Sequence, residues 1–506
     1  MHLWHSWISN MSTCNEPKIV FNHAYYIKHD EKRCLVISQP SREWSNCMEG
    51  WISKIHPIYA MILSLLSEPL SKQEAIAQAA AFLDVNDSVA TELIEKLMES
   101  KEPFEMDFDN SVSWFPPSII LEVPSDSIPS IPIVYEPQQF YYDSIDLTAQ
   151  RLIQSPMGIV WMINNTCLTE CEYCYADKST KSSSLNLSEV TKMLDDISHN
   201  NIKSLQIVGG EFFRYQNWRE LLKLLKSYNL LPELVSTKMP LSADDISIIG
   251  KYGIQIQVSL DSFNPDTIAS MWRVKSDYLS KIIDTIHLLE KYNVKYQIAT
   301  VLTKSNSSNE ELKSLSKFLS TLENLKRWEV RVAFRSLYSR KSFDTIKLSP
   351  NEIVEIEKIV KSLMETFPKN ILWVKDSGRE YFTAKEGSRS FNGSRCSANY
   401  SHLVVLPDGK VTICEQLYWT KRFIIGDIKL QSIRDIWNSP EALHLAKYPQ
   451  SCVQAKSPCH DCKLYDDCQL FPNKCYADTI KAYGWDNWDY PDPRCEKALP
   501  FLHSLS

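Results

Sequence analysis

The chain has 506 residues, 44% hydrophobic and 23% charged, with a formal net charge of −7. That length suits roughly two to four domains with ample core, and the acidic balance gives no footing for nucleic acid. No apolar run approaches the roughly 18 residues that would cross a membrane, and the opening MHLWHSWISNMSTC lacks the basic, apolar and small-residue order of an export signal, so a cytoplasmic protein is expected.

Residues 18–105 read as a small independent unit. FNHAYYIKHDEKRCLVIS gives two strands around a polar turn, and IHPIYAMILSLLSE follows as an apolar helix. Ser71 and Glu74 form a capping box ahead of a second helix. NDSVATELIEKLMES gives a third, with Val89, Leu93, Ile94 and Leu97 on one face. Strands followed by three short helices make a winged-helix-like unit. Residues 106–150 lie in a proline-rich stretch (Pro103, Pro116, Pro117, Pro124, Pro129, Pro132, Pro137). Proline removes amide donors and fixes φ, so this stretch reads as an extended linker.

Within residues 151–385, β-branched runs alternate with helical patterns. The strands are GIVWMI, SLQIVGG, PELVST, IQIQVSL, KYQIATVL and EVRVAF. Such alternation implies an α/β fold with a parallel sheet and helices outside it. Periodicity alone fits a partial barrel or an open sheet. Residues 386–506 are short on pattern and dense in cysteine. Of fourteen cysteines, three (Cys14, Cys34, Cys47) lie near the start and read as ordinary thiols, and eight lie between Cys396 and Cys495. In a large chain with no export signal such a cluster suggests metal.

The remaining three stand in CLTECEYCYADK, directly after the first strand of the alternating region: Cys167, Cys171 and Cys174. In this architecture the loops at the carboxyl ends of strands carry the chemistry. Three thiolates hold three irons of a [4Fe–4S] cluster and leave the fourth open, whereas a structural zinc wants four ligands. The Cys-x3-Cys-x2-Cys loop resembles that of the radical S-adenosylmethionine (radical SAM) enzymes. The resemblance implies that SAM chelates the open iron and is cleaved to a 5′-deoxyadenosyl radical that takes hydrogen from the substrate. It places Tyr173 near the adenine. Gly209, Gly210 and Glu211 match the family's GGE motif, where glycines let the backbone approach and the carboxylate meets the SAM amino group. Ser259 and Asp261, ending the fourth strand, match a position that meets the ribose. Arg273 matches an arginine that pairs with the SAM carboxylate. Ser236 and Thr237, ending the third strand, and Thr300, in the fifth, are further cofactor-binding candidates. Taken singly, a GGE is a turn, Ser259 a strand-end cap and Arg273 a solvated charge; their order carries the match.

The cysteine-rich end resembles the SPASM extension of radical SAM enzymes that modify peptides and proteins. By position, Cys459, Cys462, Cys468 and Cys495 would bind one auxiliary [4Fe–4S] cluster, and Cys396, Cys414 and Cys475 another. Cys475 follows Cys468 by more residues than the family pattern has. Either Cys452 is the fourth ligand of the second set or one iron is open. LPDGKVTIC reads as a hairpin with an Asp-Gly turn that sets Cys414 beside Cys396.

The whole then resembles a peptide maturase: a winged-helix-like domain that binds the leader of a ribosomally made precursor, a partial (β/α)6 barrel of TIM type, and a SPASM domain. The leader would add as a strand beside the third strand and a helix. Implied are SAM, three [4Fe–4S] clusters, an electron donor such as flavodoxin or ferredoxin, and thioether crosslinks from cysteine sulfur to carbon, with an auxiliary cluster taking the surplus electron. The alternatives are carbon–carbon or carbon–oxygen crosslinks, epimerisation, or formylglycine-type maturation of a protein such as a sulfatase. No catalytic acid or base stands out.

Overall fold

A computed structural model describes residues 17–39, 50–99, 101–124, 134–339, 342–375, 396–469 and 474–500. Cys14, Cys47 and the stretch 386–395 lie outside them. The chain forms two compact units, Met1–Ala149 and Gln150–Ser506.

In the first unit, strands Tyr25–His29, Cys34–Ser38 and Ile52–Ile55 form an antiparallel meander, with Cys34 opposite Ile55. Helix Pro57–Leu65 starts where His56 caps the Ile58 amide and proline occupies the first turn. Helix Lys72–Leu83 carries the expected Ser71–Glu74 capping box and stops at Asp84 in the left-handed conformation. Helix Asp87–Glu99 buries Ala90, Ile94 and Leu97, whereas Val89 stays exposed. These faces close a core with Ile27, Val36, Ile55, Leu63, Ala79 and Phe115. Arg33 and Asp30 are buried together at 2.7 Å, as buried charges must be.

The proline-rich stretch departs from the expected linker. Phe104–Phe108 and Ser111–Phe115 form a hairpin, and Ile120–Val123 pairs with Lys18–Phe21. Asp109 and Asn110 turn the hairpin with φ of 46° and 56°, the geometry of a tight primed turn. Pro116, Pro117 and Pro124 stand outside the strands, where a missing donor breaks no ladder.

The second unit holds seven parallel strands. Gly158–Asn164 pairs with Ser204–Gly209. Leu234–Thr237, Gln255–Ser259, Tyr296–Leu302, Leu325–Val332 and Asn370–Val374 follow in sequential order. The six expected units are present, and Asn370–Val374 extends them by one strand. Amphipathic helices cover the strands; Leu187–His199 buries Val190, Met193, Leu194 and Ile197, the spacing of one helical face. In the sheet from Leu234–Thr237 to Asn370–Val374, one face carries Ile256, Val258, Ile298, Leu302, Trp328 and Val330. Register sets Ser236, Gln257, Ser259, Gln297, Arg327, Glu329 and Arg331 on the other.

The cysteine-rich end is woven into this architecture. His402–Val405 pairs in parallel with Gly158–Asn164, His402 opposite Gly158. Lys410–Thr412 and Ile424–Asp427 continue antiparallel, and the expected Asp408–Gly409 turn joins the first two. Among the described residues, no helix is long and apolar enough to cross a membrane.

Candidate functional site

The Cys167–Cys174 loop leaves the carboxyl end of strand Gly158–Asn164. Backbone bonds hold it: the Glu170 and Glu172 amides donate to Trp272 and Met271, each at 2.9 Å. Lys178 donates to the Thr169 carbonyl at 3.0 Å, and Thr169 Oγ1 lies 3.4 Å from Cys171 Sγ. The three sulfurs share one electrostatic neighbourhood. Burial pushes the Cys167 thiol up to about 11; Lys178 opposes this, and Glu211, Cys174 and Cys171 add to it.

The Gly-Gly-Glu segment packs directly on the start of that loop. The Gly210 amide donates to the Asn164 carbonyl at 2.7 Å, and the Glu211 amide to Thr166 at 2.8 Å. Gly209 has φ of 118°, and a methyl on it would collide with the Asn164 carbonyl. A methyl on Gly210 would stand 2.6 Å from both Asn164 Oδ1 and the Thr166 nitrogen. Both positions therefore need glycine. Glu211 is buried. Its Oε2 accepts from the Lys238 amide at 3.0 Å, while its Oε1 has no partner. Burial raises its pKa against several local donors. A buried carboxylate oxygen left open is the acceptor an ammonium ligand requires.

The aromatic member of the loop turns inward. The Tyr173 hydroxyl and Trp272 Nε1 both donate to the fully buried Asp261, the latter at 2.5 Å, and the Val301 amide donates to its other oxygen at 2.7 Å. Asp261 thus fixes two rings beside the thiols. Ser259 is buried on the polar face of the sheet, as its register with Ala299 and Glu329 requires. Ser236 lies on the same face and accepts from Gln257 Nε2 at 3.1 Å. Thr300 lies on the opposite, apolar face; it donates to the Leu260 carbonyl at 2.7 Å and accepts from Trp328 Nε1 at 2.9 Å. It is not brought together with the others. Thr237 is also on that face and caps the Met239 amide, but its side chain also acts on Glu211. Arg273 ends helix Pro265–Trp272 in the left-handed conformation. Its half-exposed guanidinium lies 3.8 Å from Glu170 of the cysteine loop.

The cysteines of the cysteine-rich end are brought together in part. Cys459, Cys462, Cys468 and Cys495 lie in one another's fields. Burial, Cys459, Cys495 and Cys462 push Cys468 up to about 12. Gln450 donates to the carbonyls of Cys459 and Cys462, at 3.1 and 2.9 Å. The Lys497 amide lies 3.4 Å from Cys495 Sγ and its ammonium 3.5 Å from Cys462 Sγ. Donors aimed at sulfur suit iron–sulfur thiolates. Of the remaining three, Cys414 Sγ accepts from the Gln416 amide and Cys475 Sγ from the Asp478 amide, both at 3.4 Å. Cys396 acts on Tyr476, the residue after Cys475. Cys452 stands exposed, beside a cavity of about 560 Å³ lined by His444, Tyr448 and Trp488.

Sequence reasoning missed three residues here. Lys238, Trp272 and Glu415 carry no motif and come into place only through the fold. Glu415, next to Cys414, acts with burial to raise the phenols of Tyr175 and Tyr418. Cys174 acts on both phenols too. Tyr418 has φ of 40°, which is uncommon for a bulky side chain, and stands edge-on to Tyr338 at 5.0 Å. Tyr338 in turn feels Cys414. The loop after the first strand and the hairpin of the cysteine-rich end therefore converge on one aromatic cluster.

Parts of the chain are similar to known proteins. Residues 161–319 match the Radical SAM superfamily, and residues 396–463 match SPASM, an iron–sulfur cluster-binding domain. The antilisterial bacteriocin subtilosin biosynthesis protein AlbA of Bacillus subtilis (strain 168) is 22% identical over 321 residues, 61% of this chain and 67% of that protein. An S-adenosylmethionine-dependent nucleotide dehydratase of Psychrobacter lutiphocae is 25% identical over 180 residues, 32% of this chain and 60% of that one. The crystal structure of Streptococcus suis SuiB bound to precursor peptide SuiA shares the fold, with a TM-score of 0.61 at 15% identity over 94% of this chain and all of that one. Three thiols on one loop, a glycine cradle against it and an open buried carboxylate oxygen fit a SAM-binding iron–sulfur site, in a chain whose residues 161–319 are similar to the Radical SAM superfamily and whose residues 396–463 are similar to SPASM.

Proposed function

We propose that the protein modifies a ribosomally made precursor peptide, forming thioether crosslinks from cysteine sulfur to carbon. The carrying observation is the convergence of the Cys174 loop and the Cys414 hairpin on Tyr175, Tyr418 and Glu415. Cys167, Cys171 and Cys174 would hold the first [4Fe–4S] cluster, with Glu211 taking the SAM ammonium. Cys459, Cys462, Cys468 and Cys495 would hold a second, and Cys396, Cys414 and Cys475 a third. Bound together, the first cluster and SAM supply the means to remove a hydrogen atom from carbon. Glu415 would take the proton of the attacking thiol, and the electron left over when the carbon–sulfur bond forms would pass to an auxiliary cluster. Arg331, beside Glu329 on the polar face, bears on Tyr175 and borders the same space.

A peptide substrate is supported by what AlbA and SuiB are described as doing, and by the first unit. Its meander ends in an outer strand, Ile52–Ile55, followed directly by helix Pro57–Leu65. A leader peptide would add to that strand through backbone bonds. A one-electron carrier such as flavodoxin or ferredoxin would feed the site. The test is to incubate the anaerobically reconstituted chain with SAM, dithionite and a candidate cysteine-containing precursor peptide. The expected products are 5′-deoxyadenosine and a peptide lighter by the two hydrogens of each crosslink. A peptide of unchanged mass, with 5′-deoxyadenosine formed, would remove the crosslinking assignment. No 5′-deoxyadenosine would remove the radical chemistry itself.

A further inference from the structure

One charged side chain beside the cysteine loop has no part in that chemistry. Lys238 follows strand Leu234–Thr237 and is only partly exposed. Its amide donates to Glu211, and its carbonyl accepts from the Tyr278 hydroxyl at 2.9 Å. The backbone is held from both sides, so the origin of the side chain is fixed. The ammonium lies 5.2 Å from the centre of the Tyr173 ring and 5.4 Å from that of Trp272. Both are distances at which a ring face attracts a cation. The rings cannot drift, because both donate to Asp261. Burial alone would loosen the proton on Lys238, but Cys171, Asp261, Cys174 and Cys167 outweigh it, and the balance keeps the group charged. Lys178 supplies a contrast. It also bears on Cys167, but it is exposed to solvent.

We infer that the Lys238 ammonium, held against Tyr173 and Trp272 beside Cys167, Cys171 and Cys174, is a fixed positive charge that makes an iron–sulfur cluster on that loop easier to reduce. Adding an electron makes such a cluster more negative, and a nearby cation stabilises that state. A partly buried charge acts through a low effective dielectric, while an exposed one is screened by water and salt. The inference rests on the loop holding a cluster, as proposed above.

The test is an EPR-monitored redox titration of the full-length, anaerobically reconstituted protein without SAM. The loop cluster is identified in parallel samples as the signal that changes when SAM is added, and the remaining signals serve as an internal reference. Lys238→Met and Lys238→Gln should move the midpoint of the SAM-responsive signal to more negative potential and leave the reference signals in place. Lys238→Arg should titrate like the wild type, and Lys178→Met should shift less than either neutral variant. Neutral variants that carry full iron and titrate with the wild type would overturn the inference. So would loss of loop iron from both neutral variants with retention in Lys238→Arg, because the charge would then build the site and not tune it. A wild-type protein with no SAM-responsive signal would overturn the loop assignment instead.

Discussion

Glu211→Gln should have opposite effects on stability and on SAM binding. Glu211 is 4% exposed, with one oxygen bonded to the Lys238 amide and the other open. Its pKa in the folded protein is raised, chiefly by burial. A carboxyl that holds its proton more tightly folded than unfolded favours the fold at low pH. That contribution is lost as pH rises from the ordinary carboxyl range through the raised folded value. As pH rises toward neutral the SAM-free protein therefore carries a growing deficit, and glutamine removes it. Bound SAM is a different case, because the ammonium would pair with the carboxylate. A hydrogen bond to a charged group is worth about 1.5–3 kcal/mol, and 1.4 kcal/mol is tenfold, so Glu211→Gln should weaken SAM about 10- to 150-fold. Anaerobic equilibrium dialysis reads the affinity, and melting curves of the SAM-free protein between mildly acid and neutral pH read the stability. The wild-type melting temperature should fall across that window relative to the variant. A variant that binds SAM as tightly as the wild type would refute the role of the open oxygen. A variant that melts lower at neutral pH would refute the burial cost.

Gly210→Ala should force the backbone off Asn164 and Thr166 and strip the loop cluster; iron analysis should show about a third of the metal missing if the clusters are three. Asp261→Asn sets an amide against three donors, so about 3 kcal/mol should be lost from unsatisfied groups, seen as a melting temperature lower by several degrees. Cys459→Ala should lower iron content while 5′-deoxyadenosine still forms without peptide crosslinking; retained crosslinking would show that this set is dispensable. Ile52 is half exposed on the outer strand of the first unit, and Ile52→Glu should weaken precursor binding roughly tenfold by anisotropy. Unchanged binding would exclude that strand as the docking edge.

The alternating region was readable because each helix carries a clear apolar stripe and each strand a β-branched run. Asn370–Val374 escaped notice because its outward residues are only partly covered; Leu372 is 37% exposed, so the run lacks a buried pattern. The hairpin of residues 104–115 was hidden by proline density, although Asp109–Asn110 is a turn signal flanked by alternating residues. Thr300 faces away from Ser259 and Ser236. Ser259 pairs with Ala299, so the neighbouring Thr300 falls on the other face, and a count of parity along the strands would have revealed it. The closeness of Cys167, Cys171, Cys174 and Glu211 was legible because spacing and order bring them to one strand end. Lys238, Trp272 and Glu415 were not, because each matters only through neighbours distant in sequence.

The parallel pairing of His402–Val405 with Gly158–Asn164 has a consequence for how this protein can be divided. The strand that launches the three-cysteine loop is flanked on one side by Ser204–Gly209 and on the other by chain from beyond residue 400. Cutting the molecule before the cysteine-rich end would bare a ladder of amides and carbonyls along the very strand that begins the barrel, inviting self-association. The two cysteine-bearing regions thus share one sheet, and a cut between them breaks it.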